Sequence, residues 1–213
     1  MKPFLFLFAF VTLSALQTFA QSPFQPLYNL PGAPVEGSAD DVGDYQQLLA
    51  IQNTRTTADC MRAASEVKIS LASFYGAPYG NLTAAEVKNW TGFIQSVNLK
   101  ADATIALAKN QWKRPRPYVT HKDLKPCISR ESSTSYPSGH SALAEFYARI
   151  LEVAFPPRAA DFATRALEIA HDRNVGGVHY PIDTRDGRLL GDQIFDDQNQ
   201  NGDLENRIHQ YHP

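Results

Sequence analysis

Three short clusters of polar residues interrupt the apolar pattern of the sequence, and the first of them is KNQWKRPRP. It contains Lys109, at the end of a long apolar stripe, and Arg116 between two prolines. The prolines fix the backbone and therefore the direction in which the guanidinium points. Arginine can hold a tetrahedral oxyanion through two parallel hydrogen bonds. A solvated basic loop or a nucleic-acid patch would also explain this cluster taken alone.

The second cluster, YPSGH, stands directly before an apolar run with helical spacing. Gly139 permits a ligand to approach the backbone closely, and the first N–H groups of a helix have no partner within it. Together with the Ser138 hydroxyl, these groups make a natural anion site. His140 shares a helix face with Leu143 and Tyr147, which directs its imidazole toward the core. A serine N-cap followed by a buried histidine is the alternative explanation.

The third cluster, HDRNVGGVHYPID, contains Arg173, His179 and Asp183. Pro181 suits the first position of a helix, so Asp183 falls in the first turn. A carboxylate there can hold one imidazole nitrogen and leave the other as a nucleophile or base. The alternative is a buried histidine–aspartate pair that only fixes the start of the helix.

In order, the three clusters read K-x6-R-P, P-S-G-H and R-x5-H-x3-D. They resemble the motifs of the superfamily that contains type-2 phosphatidic acid phosphatases, bacterial class A non-specific acid phosphatases and vanadium haloperoxidases. The resemblance covers most of the chain after residue 20, and a chain of this size is most similar to the acid phosphatase branch. One departure is Asp172, which stands where the family commonly has serine and could weaken the positive field on a substrate.

Five residues are expected to hold the phosphoryl group of a phosphomonoester, because they offer cations, a hydroxyl and a backbone N–H to its oxygens. They are Lys109, Arg116, Arg173, Ser138 and Gly139. The same chemistry and the resemblance assign His179 as the nucleophile, oriented by Asp183. His140 is expected to protonate the departing alkoxide and then to deprotonate water. With three cations in place, no metal and no other cofactor is expected.

Other hypotheses use parts of the same residue set. A vanadate-dependent haloperoxidase could share the pocket, although such enzymes are usually much longer chains. A metal-dependent phosphohydrolase of the HD type would take its ligands from His140, His171, Asp172 and Asp183. That hypothesis leaves Lys109 and Arg116 unexplained. A serine hydrolase built on GHSAL is rejected because Leu143 replaces the closing glycine. A phosphate-binding module without turnover would need no paired histidine.

The segments around the three clusters are predicted to be helical. Helical spacing begins near Asp40, continues as a stripe from Cys60 to Phe74, and is strongest from Val87 to Ala108. After an irregular stretch at 113–137, a second strong helix is stopped by the prolines at 156–157. Further helical runs are expected at about 159–172, 181–195 and 203–211. We therefore predict an all-α, single-domain helical bundle of the acid phosphatase/vanadium haloperoxidase type, spanning residues 39–213.

The N-terminal residues are set apart from this domain. Residues 1–20 have the charge and apolar core of a signal peptide, with cleavage expected after Ala20, and residues 21–38 read as an extended, proline-bearing arm. These features predict a periplasmic or secreted protein. The formal charge of −2 gives no indication of a nucleic-acid partner, and no later segment suggests stable membrane insertion. Small phosphomonoesters are the expected partners, and homo-oligomerisation stays open.

Two further features are ambiguous. Cys60 and Cys127 are the only cysteines, and an oxidising compartment would allow them to pair, but Cys60 could equally be a buried apolar residue. Residues 197–208 partly match a calcium loop, but Ile208 stands where a bidentate glutamate is needed. A turn that caps the last helix is favoured there.

Overall fold

The computed structural model describes residues 28–76 and 82–211, and within these ranges it contains eight α-helices and no β-strand. The bounds are α1 Ala39–Thr54, α2 Thr57–Ser65, α3 Ala84–Trp112, α4 Pro117–Thr120, α5 Gly139–Ala154, α6 Ala159–Val175, α7 Pro181–Gln198 and α8 Asp203–Tyr211. Three short 3-10 helices lie at Leu71–Phe74, Pro156–Arg158 and Gln200–Gly202. The predicted all-α bundle is confirmed.

The central element is α5, which packs along α6 and α7 and also contacts α3 and α8. It is apolar on nearly all sides, as expected of a helix inside a bundle, and Phe146, Ile150 and Leu151 are fully buried. Its start carries the predicted PSGH cluster, so the middle of the bundle fixes the position of that cluster.

Two glycines allow α5 and α7 to approach closely. A methyl group at Gly187 would collide with the backbone oxygen of Ser138, and one at Gly191 would collide with the backbone oxygen of Ala142. The two glycines are four residues apart, so they lie on one face of α7. This contact fixes the start of α5 against the start of α7, where Ser138 N donates to Asp183 O at 2.9 Å.

The stripe from Cys60 to Phe74 is not one helix, and this prediction was wrong in its extent. Helix α2 ends at Ser65, and a 3-10 helix follows only at Leu71–Phe74. The interruption has a physical reason, because Glu66 is drawn into a buried ion pair with Arg165. Cys60, on α2, forms a disulfide with Cys127, with Cα atoms 5.8 Å apart, which settles the question that the sequence left open.

The expected signal peptide and the first part of the arm, up to residue 27, lie outside the described residues. Residues 28–38 contain no helix, and α1 begins after Ser38, whose side chain accepts from Asp41 N. Among the helices that the structure describes, none has both the length and the apolar composition to cross a bilayer.

The possible calcium loop is a turn before α8. Asp197 pairs with Lys100 at 2.6 Å, and Ile208 is fully buried in the core. The Asn199 side chain accepts from Glu205 N at 2.9 Å, so it satisfies an N–H group in the first turn of the helix.

Candidate active site

Four helix ends and one irregular segment converge on the predicted site. Lys109 comes from the end of α3, Arg116 from the segment before α4, and His140 from the start of α5. Arg173 comes from the last turn of α6, and Asp183 from the first turn of α7, with His179 just before it. The eight predicted residues therefore belong to one region of the fold.

His179 lies at the centre and is fully buried. Its Nε2 is 2.9 Å from Nη1 of Arg116. Because a guanidinium can only donate, Nε2 is the acceptor and the ring proton is on Nδ1. Burial, reinforced by the positive charges of Arg116 and Lys109, lowers the pKa of His179 well below its usual value. The imidazole is therefore neutral, with a lone pair on Nε2.

The predicted partner of His179, Asp183, is close but not tightly bonded to it. Asp183 Oδ2 is 3.5 Å from His179 Nδ1, and Nδ1 has no hydrogen bond of good geometry in the described part of the chain. We take the 3.5 Å separation as an electrostatic contact. It orients the Nδ1 proton, but it is too long for a strong hydrogen bond.

Asp183 is itself held by three donors. Arg114 Nη1 donates to Oδ1 at 2.8 Å, Tyr180 N donates to Oδ2 at 2.9 Å, and the Ser135 hydroxyl also donates to Oδ2. These bonds fix the carboxylate in a fully buried position. Asp183 thus links the 113–138 segment to the start of α7.

Arg114 is a residue that the sequence reasoning missed. It is buried and also donates to Asp41 at 2.9 Å and to Asp44 at 2.8 Å on α1. Its guanidinium lies 3.7 Å from the ring centroid of Tyr180. The available signal was the spacing of Asp41, Asp44 and Leu48, which puts two acids on the buried face of α1 and demands a buried cation.

Lys109 faces the site from α3. Its Nζ donates to the Thr134 carbonyl at 2.7 Å. Burial and the positive charge of Arg116 lower the pKa of Lys109 to about 8. A methyl group at Gly139 would lie 3.5 Å from Lys109 Cε and 3.1 Å from Ile105 Cγ2, so glycine lets the start of α5 sit close to this lysine.

Ser138 is the N-cap of α5 and is fully buried. Its Oγ accepts from Ser141 N at 3.3 Å and from Ser141 Oγ at 2.9 Å. Because these two bonds use its acceptor capacity, its own proton remains available to a ligand. The N-cap alternative and the anion-site prediction therefore describe one and the same residue.

His140 projects from the first turn of α5 and is partly exposed. Its Nε2 is 2.7 Å from the Val67 carbonyl, so Nε2 carries a proton, and Nδ1 lies 3.8 Å from Glu131 Oε1. Burial lowers the pKa of His140, the bond to Val67 works against that shift, and the charge of Arg173 adds to it. Nδ1 is consequently the atom whose proton can come and go.

Glu131 was also missed, because nothing in the sequence marks it within the irregular segment. Its Oε2 accepts from Arg116 Nη2 at 2.6 Å, and its backbone N–H and carbonyl both bond the Tyr118 hydroxyl. Burial works to raise the pKa of Glu131, but the positive charge of Arg116 and its hydrogen bond to the carboxylate outweigh burial and lower the pKa. A carboxylate thus lies on the guanidinium predicted to hold phosphate.

Arg173 is fully buried, and its Nη2 donates to the Ala63 carbonyl at 2.6 Å. Its Nε and Nη1 have no hydrogen-bond partner within the described part of the chain. Burial lowers its pKa. Asp172, the departure from the family pattern, is held by Arg62 through both carboxylate oxygens at 2.8–3.1 Å, so its charge is balanced by that guanidinium.

The ligand set of the HD-type hypothesis is not brought together. Asp172 is paired with Arg62, Asp183 with Arg114, and His171 is exposed. A different trio could hold a cation, because one donor atom each of Glu131, His140 and His179 lie within 4.8 Å of one another. Arg116 donates to two members of this trio, which makes the position more suitable for an anion.

The site opens to the surface through a cavity of about 210 Å³. Its wall includes Lys109, Glu131, Gly139 and His140. His179 is buried and is not part of that wall. Glu131 in this wall accepts from Arg116, so an anion that binds the Arg116 guanidinium would compete with this carboxylate.

The chain is similar to known proteins over the part that contains the candidate site. Residues 92–192 match the model of the PAP2 superfamily, and this range contains all eight predicted site residues. The acid phosphatase of Zymomonas mobilis is 28% identical over 174 residues, covering 78% of this chain and 66% of that protein. The non-specific acid phosphatase of Salmonella typhimurium is 36% identical over 90 residues, covering 40% of this chain and 36% of that protein.

The chain thus matches just under two thirds of the Zymomonas protein and about a third of the Salmonella protein. Among solved structures, a transmembrane PAP2-type phosphatidylglycerolphosphate phosphatase from Bacillus subtilis is similar with a TM-score of 0.53. It is 21% identical, over 83% of this chain and 89% of that chain. This likeness shows that the helical fold is shared.

Proposed function

We propose that the protein is an exported acid phosphatase that hydrolyses phosphate monoesters through a phosphohistidine intermediate. The observation that carries the proposal is the Arg173 guanidinium, which is fully buried with two nitrogens, Nε and Nη1, unpartnered in the described part of the chain. A buried donor without a partner is unfavourable, and an anion at this position would satisfy it. Lys109 and Arg116 add positive charge to the same region.

Substrate binding replaces one anion by another. The phosphoryl oxygens take the position of the Glu131 carboxylate on Arg116, and they also accept from Arg173 and from the Ser138 hydroxyl. These donors are already oriented, so they stabilise the charge of the transition state without reorganising. The Zymomonas and Salmonella acid phosphatases support this choice of substrate class.

The reaction then proceeds in two displacements. His179 Nε2 turns its lone pair from Arg116 to phosphorus, the N–P bond forms, and the bond to the leaving oxygen breaks. His140 gives its Nδ1 proton to that oxygen. Water next attacks the phosphohistidine, His140 takes the proton from the water, and phosphate leaves with His179 restored. Asp183 faces the Nδ1 proton of His179 and stabilises the positive charge that the ring acquires.

Metal independence is part of this proposal, because three cationic side chains supply the charge that a metal would supply. A metal-dependent hydrolase is the second candidate, favoured by the donor trio of Glu131, His140 and His179. Assay of the purified protein on a panel of phosphomonoesters with and without EDTA separates the two. Full activity in EDTA, with inhibition by vanadate, is the expected result. Loss in EDTA that a divalent metal restores would favour the second candidate.

Export is proposed from the N-terminal sequence and is supported by the disulfide between Cys60 and Cys127, since disulfides persist in oxidising compartments. Sequencing the N-terminus of the protein recovered from outside the cytoplasm tests this step. Processing after Ala20 is expected. An intact N-terminus on protein confined to the cytoplasm would contradict it.

A further inference from the structure

A second, larger cavity of about 470 Å³ adjoins the opening of the candidate active site. Asp102 is part of the wall of both cavities. Three segments of the chain also contribute residues to the walls of both cavities. On α5, Leu143 lines the smaller cavity and Tyr147, one turn later, lines the larger. Before α3, Ile69 lines the smaller and the next residue, Ser70, lines the larger.

The third shared element is α3, and the positions of its lining residues give the length of the groove. Lys109 and Ile105 belong to the smaller cavity, and Asn98 and Ile94 belong to the larger. At 1.5 Å per residue, Asp102 lies about 10 Å along the helix from Lys109, and Asn98 lies about 16 Å from it. The two cavities thus form one groove that leads away from the phosphate position.

The chemistry of the larger cavity is apolar with one acidic corner. Its apolar wall comes from Leu71, Val87, Ile94 and Leu99. At the end nearer the site, Asn98 Nδ2 donates to Asp102 Oδ2 at 2.7 Å, and the Tyr147 hydroxyl donates to Asn98 Oδ1 at 2.8 Å.

Among the residues that the structure describes, Asp102 is the one charged residue in the wall of the larger cavity. The wall of the smaller cavity contains Asp102 together with three other ionisable residues, Lys109, Glu131 and His140. A negative corner attracts hydroxyl and ammonium groups and repels a second phosphate or a carboxylate.

We propose that this groove binds the leaving group of the substrate. The favoured substrates are phosphate monoesters of extended, largely apolar alcohols that carry a hydroxyl or ammonium group about 10 Å from phosphorus. This inference rests on the proposed function and adds a substrate class to it.

The test compares kcat/KM for methyl phosphate, octyl phosphate, 8-aminooctyl phosphate and 7-carboxyheptyl phosphate. Methyl phosphate reports the reaction alone, because its methyl group is too short to reach the larger cavity. We expect octyl phosphate to exceed methyl phosphate by at least about tenfold, since even one methylene in an apolar pocket is worth this much. The amino compound is expected to rank above the carboxy compound, and Asp102→Asn is expected to remove that difference.

A volume variant gives an independent readout. Leu99 lines the larger cavity and is 79% exposed, so Leu99→Trp can fill the groove without disturbing the core. The matched control is Leu107→Trp, since Leu107 is 55% exposed on the same helix and does not line either cavity. Leu99→Trp should lower kcat/KM for octyl phosphate about tenfold and leave methyl phosphate unchanged, and the control should change neither.

Failure of this inference and failure of the proposed function give different results. If methyl phosphate is hydrolysed but the four substrates share one kcat/KM, or Leu99→Trp affects methyl and octyl phosphate equally, the groove does not hold the leaving group. If the protein hydrolyses none of the four substrates, the proposed function itself is overturned.

Discussion

At the scale of single residues, the two histidines are distinguished by their partners. Arg116 donates to Nε2 of His179, so this ring is a neutral acceptor. The Val67 carbonyl binds Nε2 of His140, so the exchangeable proton of that ring is on Nδ1, facing Glu131. The sequence leads to a proposed nucleophile and a proposed acid, and the contacts indicate which nitrogen of each ring would serve in that proposal.

These protonation states predict an acidic pH optimum. Burial lowers the pKa of His140, so the protonated form of this proposed acid is lost as pH rises through a value below the ordinary 6.5. Burial lowers the pKa of His179 well below its usual value, so this proposed nucleophile stays neutral until the pH is strongly acidic. The kcat/KM of the free enzyme should therefore be bell-shaped and highest on the acid side.

The measurement is kcat/KM against pH for two esters whose phosphate groups differ in pKa, which separates the ionisation of the enzyme from that of the substrate. A rate that keeps rising into alkaline solution would contradict the assigned protonation states. Lys109, whose pKa is lowered to about 8, should add a rise in KM above that pH as its charge is lost.

Glu131 provides a second prediction at this scale. Glu131→Gln removes the carboxylate that competes for Arg116, so vanadate should bind about tenfold more tightly. The same change removes a negative charge that raises the pKa of His140, so the alkaline limb of the pH profile should move to lower pH. Glu152→Gln is the control, because Glu152 pairs with Arg149 further along α5 and does not contact the site residues. Weaker vanadate binding in Glu131→Gln would show that the carboxylate does not occupy the anion position.

The sequence predicts the eight site residues but not all of the residues that contact them. The eight predicted residues come together because each stands at a helix end or in the proline-bearing segment, where pattern and motif are informative. Glu131 could not be predicted to reach the site, and the two acids on the buried face of α1 predict a buried cation without showing that it is Arg114. The roles of Glu131 and Arg114 depend on the path of an irregular segment, and no periodicity describes that path.

At the scale of elements, the fold was largely predictable, because strong apolar periodicity marks α3, α5, α6 and α7. The exception was the stripe after Cys60, where the spacing is helical but a buried ion pair at Glu66 and the disulfide at Cys60 decide the local structure. Long-range pairs of this kind are not visible in a local pattern. The close contact of α5 and α7 was also not predicted, although the spacing of Gly187 and Gly191 is the sequence feature that indicates it.

This contact predicts the behaviour of Gly187→Ala. The added methyl group collides with the backbone oxygen of Ser138, so α5 and α7 must separate near the site. We expect a loss of about 1–3 kcal/mol in the free energy of unfolding, typical of overpacking, together with a fall in kcat/KM as Ser138 moves relative to Asp183. Denaturant unfolding and steady-state kinetics measure the two effects.

Gly43→Ala is the matched control for that experiment. Gly43 is also inside a helix, and a methyl group there would meet nothing within 4 Å. It should leave activity unchanged and stabilise the protein by about 0.5–1 kcal/mol, because alanine favours the helix. Equal effects of the two substitutions would show that the α5–α7 contact has no special role.

At the scale of the whole molecule, the parts outside the central helices hold the site in place. The disulfide joins α2 to the segment that carries Glu131, across 67 positions of sequence. The end of α2 and the residues after it supply the Ala63 carbonyl to Arg173 and the Val67 carbonyl to His140. Helix α1 supplies the acids that hold Arg114 on Asp183. Residues of α1, of α2 and directly after α2 thus hold in position site residues that lie in the C-terminal half of the chain.

The most direct test of the central claim is rapid-quench trapping of phosphoenzyme from a labelled aryl phosphate, with an alkaline quench that preserves phosphoimidazole. The wild-type protein should trap label, and His179→Ala should trap none while retaining its helical circular dichroism. His140→Ala should still trap label from the aryl phosphate, whose phenolate leaves unaided, but not from an alkyl phosphate. Label trapped on His179→Ala would show that the nucleophile is a different residue.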